Sequence, residues 1–435
     1  MSDGGVLPDG WRLVRLGECG SWAGGATPSK REERYWTNGD VPWVSPKDMT
    51  STVLRASQDR ITAEAAASTS AKTLPANSIA LVVRSGILEH SLPVALIPFP
   101  ASFNQDMKVL TPAEWLSPDW ALWAVLGNRD EILKQCSKDG VTVASIDTRA
   151  LMNFKIPVPP LDEQHALSER LSELLGAVED GEREFDAALG SLDDFEASLI
   201  TAGFGGRLES MDATLRDALK NAAVRPLSDV ADIQYGYTAS ATTEPVGPKF
   251  LRITDIQDNR VDWDLVPYCD GTEVDTARYG LTPSDIVFAR IGATTGKSYL
   301  VDKDVPSGTV YASYLIRVRA SEDLDPYFLA LYFRSSAYWS YVFSKRQGIG
   351  RPAVNGSVLG GLQVPVPSKD AQRALATVLA SQLSAMGVAS AEIKRQRRAT
   401  QDLRWAILKA AVAGKLRPRD GDALPKNSRT FELAR

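Results

Sequence analysis

The chain has 435 residues, 44% hydrophobic and 24% charged, with a formal net charge of −5 at pH 7. That length leaves room for about two to four domains with real cores, and the composition excludes a disordered chain. Cys19, Cys136 and Cys269 are odd in number, widely spaced and without a C-x-x-C pair, and His90 and His165 are the only histidines, so a disulfide framework, a zinc site and a histidine triad are set aside.

The N-terminus Met1-Ser2-Asp3-Gly4-Gly5 has no basic region followed by an apolar stretch, and no uninterrupted apolar run approaches the roughly 18 residues of a bilayer span. The expectation is a cytoplasmic protein with no membrane association. In chain order, a first globular unit over residues 10–155 shows a short β-rich run at 78–83 and a helical patch at 120–135. Pro157, Pro159 and Pro160 then mark the start of a long helix, and Gly203, Gly205 and Gly206 mark its stop. Along it Leu167, Leu171, Leu174, Val178, Gly181, Phe185, Ala188, Leu192, Phe195 and Leu199 alternate steps of four and three, a heptad seam. A second globular unit over 222–363 has strand-like runs at 285–288 and 313–318 and a helical patch at 326–344. A second long helix follows Ser368, a plausible N-cap, with Leu375, Leu379, Met386, Ala389, Ile393, Leu403 and Ile407 on its seam.

The two halves repeat. Ile156-Pro157-Val158-Pro159 with Gln164, Leu167, Leu171 and Leu175 returns as Val364-Pro365-Val366-Pro367 with Gln372, Leu375, Leu379 and Leu383, every pair 208 positions apart. The offset still holds where Gly206-Arg207-Leu208 meets Gly414-Lys415-Leu416. An undrifting register over that distance implies tandem duplication of a globular unit plus a long helix. The globular units correspond more loosely: Gly25-Ala26-Thr27-Pro28-Ser29 matches Gly236-Tyr237-Thr238-Ala239-Ser240, and Arg84-Ser85-Gly86 matches Arg290-Ile291-Gly292. A repeated scaffold with unlike loops is expected if each unit reads a different ligand.

Charge separates the helices. Residues 161–210 hold thirteen acids against three arginines, a net of −10, whereas 368–420 hold eleven bases against four acids, a net of +7. Matching apolar seams of opposite charge predict an antiparallel intramolecular pair, about 60 Å long for some forty residues, with the globular units at its two ends. The fold class expected is therefore α+β: two β-rich globular domains joined by two long antiparallel coiled-coil helices with an internal pseudo-two-fold repeat.

Gly292-Ala293-Thr294-Thr295-Gly296-Lys297-Ser298 imitates a phosphate-binding loop, but it has three residues between the glycines where four are required, and the sequence after it does not begin a helix. No amino-methyltransferase run, nucleoside-cofactor fingerprint or nuclease-like acid pair is evident, so catalysis is assigned to another chain. Candidate ligand contacts, of the kind that would suit a nucleic acid, are basic, amide or hydroxyl side chains beside turns: Lys30, Arg31, Lys47, Arg84, Asn104, Gln105, Lys108 and Arg149 in the first unit. In the second they are Arg252, Arg290, Thr294, Thr295, Lys297, Arg317, Arg346, Gln347 and Arg351. Arginine pairs with guanine and Asn or Gln with adenine in the major groove, while Lys and Thr mostly hold phosphates.

Gly24-Gly25-Ala26-Thr27-Pro28-Ser29, Trp36 with Gly39 and Val41-Pro42-Trp43-Val44-Ser45, Asn104-Gln105-Asp106, the run from Ile156 to Gln164, and a duplicated helix ending in Gly-Lys-Leu416 resemble the DNA-specificity subunit of type I restriction-modification systems. The likeness covers nearly the whole chain. It implies target recognition domains at residues 1–160 and 208–367, spacer helices at 161–207 and 368–417, and a polar tail at 418–435. It implies double-stranded DNA as ligand, each domain reading half of a bipartite site. Two methyltransferase subunits carrying S-adenosylmethionine would dock on the helices, a restriction and translocase subunit would join them, and this chain would hold no cofactor or metal. A methyltransferase-only complex, or a coiled-coil adhesion protein with no DNA role, are the alternatives. Outside the helices the net charge is about −2, so tight DNA binding is expected to need the partners.

Overall fold

The computed structural model describes residues 7–138, 143–257, 259–271, 274–346 and 353–417. The chain divides into two compact units, Met1–Glu184 with Arg395–Arg435, and Phe185–Lys394. The division cuts both long helices, Leu161–Phe204 and Lys369–Val412, so each unit holds one globular domain, the start of the helix that follows it, and the end of the other helix.

In the first unit, strand Arg12–Arg15 pairs antiparallel with Lys155–Val158, tying the domain's entry to its exit. Its main sheet has four strands in the order Gly20–Gly24, Met107–Pro112, Ser78–Val82, Val94–Ile97. Alternation along Ser78–Val82 sends Ile79 and Leu81 to a core shared with helix Pro118–Gly127, and Ala80 and Val82 to a second core with Val44 and Phe103. Both faces are covered, which is why this strand reads as a continuous apolar run. A smaller sheet sets Val41–Val44 antiparallel to Asp59–Ile61 and parallel to Ser102–Phe103.

The second unit repeats this plan. Ala223–Pro226 pairs with Gln363–Val366, and four strands run in the order Ala231–Tyr235, Leu315–Ala320, Ile286–Ala289, Ser298–Leu300. Phe250–Leu251 lies parallel to Val310–Tyr311, as Trp43–Val44 lies parallel to Ser102–Phe103. One substitution inside the shared scaffold is chemical rather than steric: Asp285, 1% exposed, holds the Arg319 fork at 2.6 and 2.7 Å, where the first unit has Ser78 Oγ 3.2 Å from Thr111 Oγ1.

The duplicated Pro-x-Pro-Gln pattern has a structural cause. Gln164 Oε1 accepts from Ser117 N at 2.7 Å, and its Nε2 donates to Trp115 O at 3.1 Å and Pro159 O at 2.9 Å. Gln372 Oε1 accepts from Asp325 N at 2.6 Å, and its Nε2 donates to Asp323 O and Pro367 O, both at 2.9 Å. Both side chains are buried, and each fastens the first turn of a long helix to the chain entering a domain helix, Pro118–Gly127 or Pro326–Tyr332. Ser368 caps the second helix by accepting from Ala371 N at 3.4 Å.

Within each unit the helix segments pair antiparallel. In the first, Leu167, Leu171 and Leu175 share a core with Leu408 and Ala411, and Arg404 bonds to Glu179. In the second, a Cβ added at Gly203 would lie 3.2 Å from Leu379 and 3.3 Å from Leu375, and Leu192 and Leu199 share a core with Met386. The heptad reading places three residues wrongly: Phe195 is 58% exposed, Leu403 51%, and Ala389 is exposed too, while Leu175, Ile200 and Leu408 are buried. A two-helix seam also packed against a domain turns the buried stripe off the simple heptad.

Charge follows the expected division. Lys409 of the basic helix reaches Asp130 at 2.9 Å, and Arg334 Nε reaches Glu196 of the acidic helix at 3.1 Å. The Lys409 hydrogen bond holds the Asp130 carboxyl below its ordinary range. Lys369–Val412 contains an 18-residue window of mean hydropathy 1.4, long and apolar enough to cross a membrane by length and composition, although Leu375, Leu379 and Met386 lie in the second unit's core. The three cysteines are buried and free, and desolvation pushes the Cys19 thiol up to about 12 and the Cys136 thiol to about 11.

Replacing either glutamine strands one N–H and two carbonyls in a dry site, so Gln164→Ala and Gln372→Ala should each destabilise the unit concerned by about 3 kcal/mol. Ser168 provides the control: its buried Oγ has no hydrogen-bond partner among the described residues, and the second copy has Ala376 there. Ser168→Ala should leave chemical denaturation unchanged or shift it to higher denaturant.

Candidate nucleic-acid interface

In the first unit, residues 104–106 link strand Ser102–Phe103 of the small sheet to Met107–Pro112 of the large one. The segment after Gly20–Gly24 crosses this link so closely that a Cβ on Gly25 would sit 1.9 Å from Asn104 O. Ala26 N donates to Phe103 O at 2.8 Å, and the indoles of Trp43 and Trp36 donate to Ala26 O and Ser29 O at 3.1 and 3.2 Å. The Gly-Ala-Thr-Pro-Ser signature is thus the part of the loop that this crossing fixes.

Thr27 is the residue missed among the sequence candidates, although its motif was visible. Its Oγ1 donates to Gln105 Oε1 and accepts from Asn104 Nδ2 at 3.3 Å, while Asn104 Oδ1 accepts from Asp106 N at 2.7 Å. Asn104 therefore holds the turn in shape, and Gln105 is exposed on it. Half-buried Lys108 is the second residue of the adjoining strand, with Nζ 3.1 Å from where a Cβ on Gly24 would be. Arg84 follows Val83, whose N donates to Asp106 O at 2.8 Å, so it joins the same turn. Lys30 and Arg31 are exposed on the loop beyond Ser29. Lys47 is paired with Asp59 at 2.9 Å, and Arg149 lies on the helix Thr148–Asn153, which packs against Leu16–Glu18.

The second unit has the same crossing, with a Cβ on Gly236 falling 2.3 Å from Ala312 O. Its side chains differ. Ala312 and Ser313 replace the amides, and Tyr314 stands 58% exposed at the turn. Arg290 N donates to Tyr314 O at 3.1 Å, its Nη1 reaches Ser313 O at 3.3 Å, and its Cζ lies 5.0 Å from the Tyr235 ring centroid. The sheet register corrects the sequence alignment by one residue: Ile286 faces Val318 as Ile79 faces Leu110, which sets Arg290 in the place of Val83 and Ile291 in that of Arg84.

Arg252 forks onto Asp255 at 3.1 and 2.7 Å and closes its own turn. Thr294 and exposed Lys297 lie on a tight turn, Lys297 N donating to Thr294 O at 2.9 Å, and strand Ser298–Leu300 follows directly, so no helix begins at the end of that turn. Arg346 lies 5.2 Å from the Phe343 ring. Gln347 and Arg351 lie outside the described residues.

Two candidates are corrected. Arg317 is 4% exposed, with Nη2 on Asp232 at 2.9 Å and Nη1 donating to Gly280 O at 3.1 Å, because both faces of its strand are covered. Thr295 is 2% exposed and donates to Gly292 O at 2.7 Å, its turn being held down by Tyr338 OH on Gly296 O at 2.5 Å. Neither is available to a ligand. Among the described residues no group of His, Cys, Asp or Glu is arranged to hold a metal.

The close crossings give a direct test. Gly25→Ala and Gly236→Ala each force a backbone shift and should destabilise by about 1–3 kcal/mol or more. Gly86→Ala, where an added Cβ meets nothing within 4 Å, should be near neutral in thermal unfolding.

The family described as type I restriction modification DNA specificity domain matches residues 8–184 and again 220–393. A type I restriction enzyme specificity subunit of Escherichia coli, EcoR124I/EcoR124II, is 50% identical over 157 residues, 36% of this chain and 39% of that protein. The MjaIX specificity subunit of Methanocaldococcus jannaschii is 27% identical over 187 residues, 42% of each. The chain thus spans about two fifths of the length of these curated relatives. The MjaVIII specificity subunit of the same organism is 22% identical over 419 residues, 94% of each chain. A solved structure from work on complex assembly and conformational transition of the type I R-M system aligns with TM-score 0.64 at 18% identity, over 94% of this chain and 100% of that one, a likeness of fold.

Proposed function

Since the chain belongs to the type I restriction modification DNA specificity domain family, matched once in each half, we propose that it is the DNA-recognition subunit of a type I restriction-modification complex. The observation that carries this reading is the pair of scaffolds with one strand order and register whose crossing segments bear unlike side chains, Thr27, Asn104 and Gln105 in one and Tyr235, Arg290 and Tyr314 in the other. Two readers on one scaffold suit a bipartite, asymmetric site in double-stranded DNA. Amide and guanidinium groups would read base edges, and Lys30, Arg31, Lys297 and their neighbours would hold phosphates.

The long helices are assigned to partner docking. Phe195 and Val388 stand 58% and 70% exposed in the second unit, and only 22% of the apolar window of Lys369–Val412 is buried within the chain. An apolar face of that kind is costly in water and suits a covering protein. We assign that cover to two methyltransferase subunits, which would supply S-adenosylmethionine and the methyl transfer, with a restriction and translocase subunit added for cleavage. The chain itself would be non-catalytic and cytoplasmic. Its formal charge of −5 places much of the phosphate attraction on those partners.

The experiment is reconstitution. The purified chain should neither methylate nor cut DNA, and should confer sequence-specific methylation on an added methyltransferase subunit. Val388→Asp should weaken that assembly by about tenfold or more while leaving unfolding of the isolated chain unchanged. Methyl transfer by the isolated chain would overturn the reading.

A further inference from the structure

The two scaffolds agree in backbone at residue 290 and disagree in side chain. Arg290 N donates to Tyr314 O at 3.1 Å and Val354 N donates to Arg290 O at 2.9 Å. In the first unit Val83 N donates to Asp106 O and Ile146 N donates to Val83 O, both at 2.8 Å. The fold accepts a buried valine there, so packing alone does not call for arginine.

The arginine is nevertheless held firmly. Its guanidinium carbon lies over the Tyr235 ring, 5.0 Å from the centroid, and Tyr235 is fixed in turn by its hydroxyl, which accepts from Gly356 N at 2.6 Å. Nη1 is steadied by Ser313 O at 3.3 Å, and among the described residues buried Nε has no hydrogen-bond partner. Among the described residues no carboxylate pairs with it, unlike Arg252, Arg317 and Arg319. A half-buried guanidinium with no acid beside it among the described residues is only partly compensated by a ring and one carbonyl, and its natural complement is an acceptor brought by a ligand.

We infer that Arg290 is the guanine-reading residue of the second unit, its fork held by Tyr235 and the Ser313–Tyr314 turn so as to meet O6 and N7 in the major groove. This rests on the DNA-recognition reading above. A phosphate contact could serve both units alike and could be made by lysine, whereas a base reader must differ between units and depends on the planar fork.

The test uses the full chain assembled with its methyltransferase partner and duplexes carrying the wild-type methylated motif. Replacing one guanine in the half-site of the second unit by 7-deazaguanine, which lacks the N7 acceptor, should weaken wild-type binding about ten- to hundredfold. Arg290→Lys keeps the charge and loses the fork, so it should bind both duplexes equally and methylate sites with relaxed identity at that base, the other half-site being unchanged. Each complex is compared with itself on two duplexes, which makes the readout independent of any loss of folded protein. A wild-type complex indifferent to 7-deazaguanine throughout that half-site, or an Arg290→Lys complex that keeps the wild-type motif, overturns the assignment of Arg290 alone. Wild-type methylation without sequence preference would overturn the DNA-recognition reading as well.

Discussion

A buried glutamine at the start of each long helix is the constraint from which the rest of the architecture follows. Gln164 and Gln372 each satisfy one N–H and two carbonyls that would otherwise be unpaired in a dry interior, and so fix where a long helix leaves its domain. The proline on each side cannot continue a helix backwards, so the chain must enter the first turn where the glutamine can reach. Once the helix is fixed there, its seam leucines fall into the domain's core, and the end of the other helix completes the same core. The duplicated unit is therefore a domain with two half-helices, and neither helix belongs to one unit alone.

Electrostatics adds direction to this packing. Acids concentrate on one helix and bases on the other, and the contacts Glu179–Arg404, Asp130–Lys409 and Glu196–Arg334 match each helix to something of opposite sign within its unit. Exposed pairs of this kind contribute little stability each. Their value lies in disfavouring like-with-like pairing of helices. At the crossing turns the side chains are held differently: Arg290 by a ring and a backbone carbonyl, and Asn104 and Gln105 by the Thr27 hydroxyl.

Much of this was legible in the residues. The 208-residue offset exposes the helices and their common start, because a helix tolerates no insertion without losing its buried face, and the covered strands 78–82 and 286–289 announce themselves as apolar runs. The crossing turn was legible as Gly-Ala-Thr-Pro-Ser. The seam positions Phe195 and Leu403 were not, since a heptad rule knows of two helices and not of the domain packed against them. The Arg84 and Arg290 alignment slipped by one because both are arginines after a strand, and only the sheet register distinguishes them. Arg317 looked like a contact because an arginine in a strand is usually at its surface, yet Asp232 and two carbonyls take it into the core.

The central claim is that two scaffolds of one plan read two half-sites independently. It is tested most directly by replacing residues 10–155 with the equivalent domain of a relative and sequencing the methylated motif of the assembled complex. The account predicts that one half of the motif changes while the other half and the unspecified spacer stay as they were. A motif in which both halves change together would contradict it.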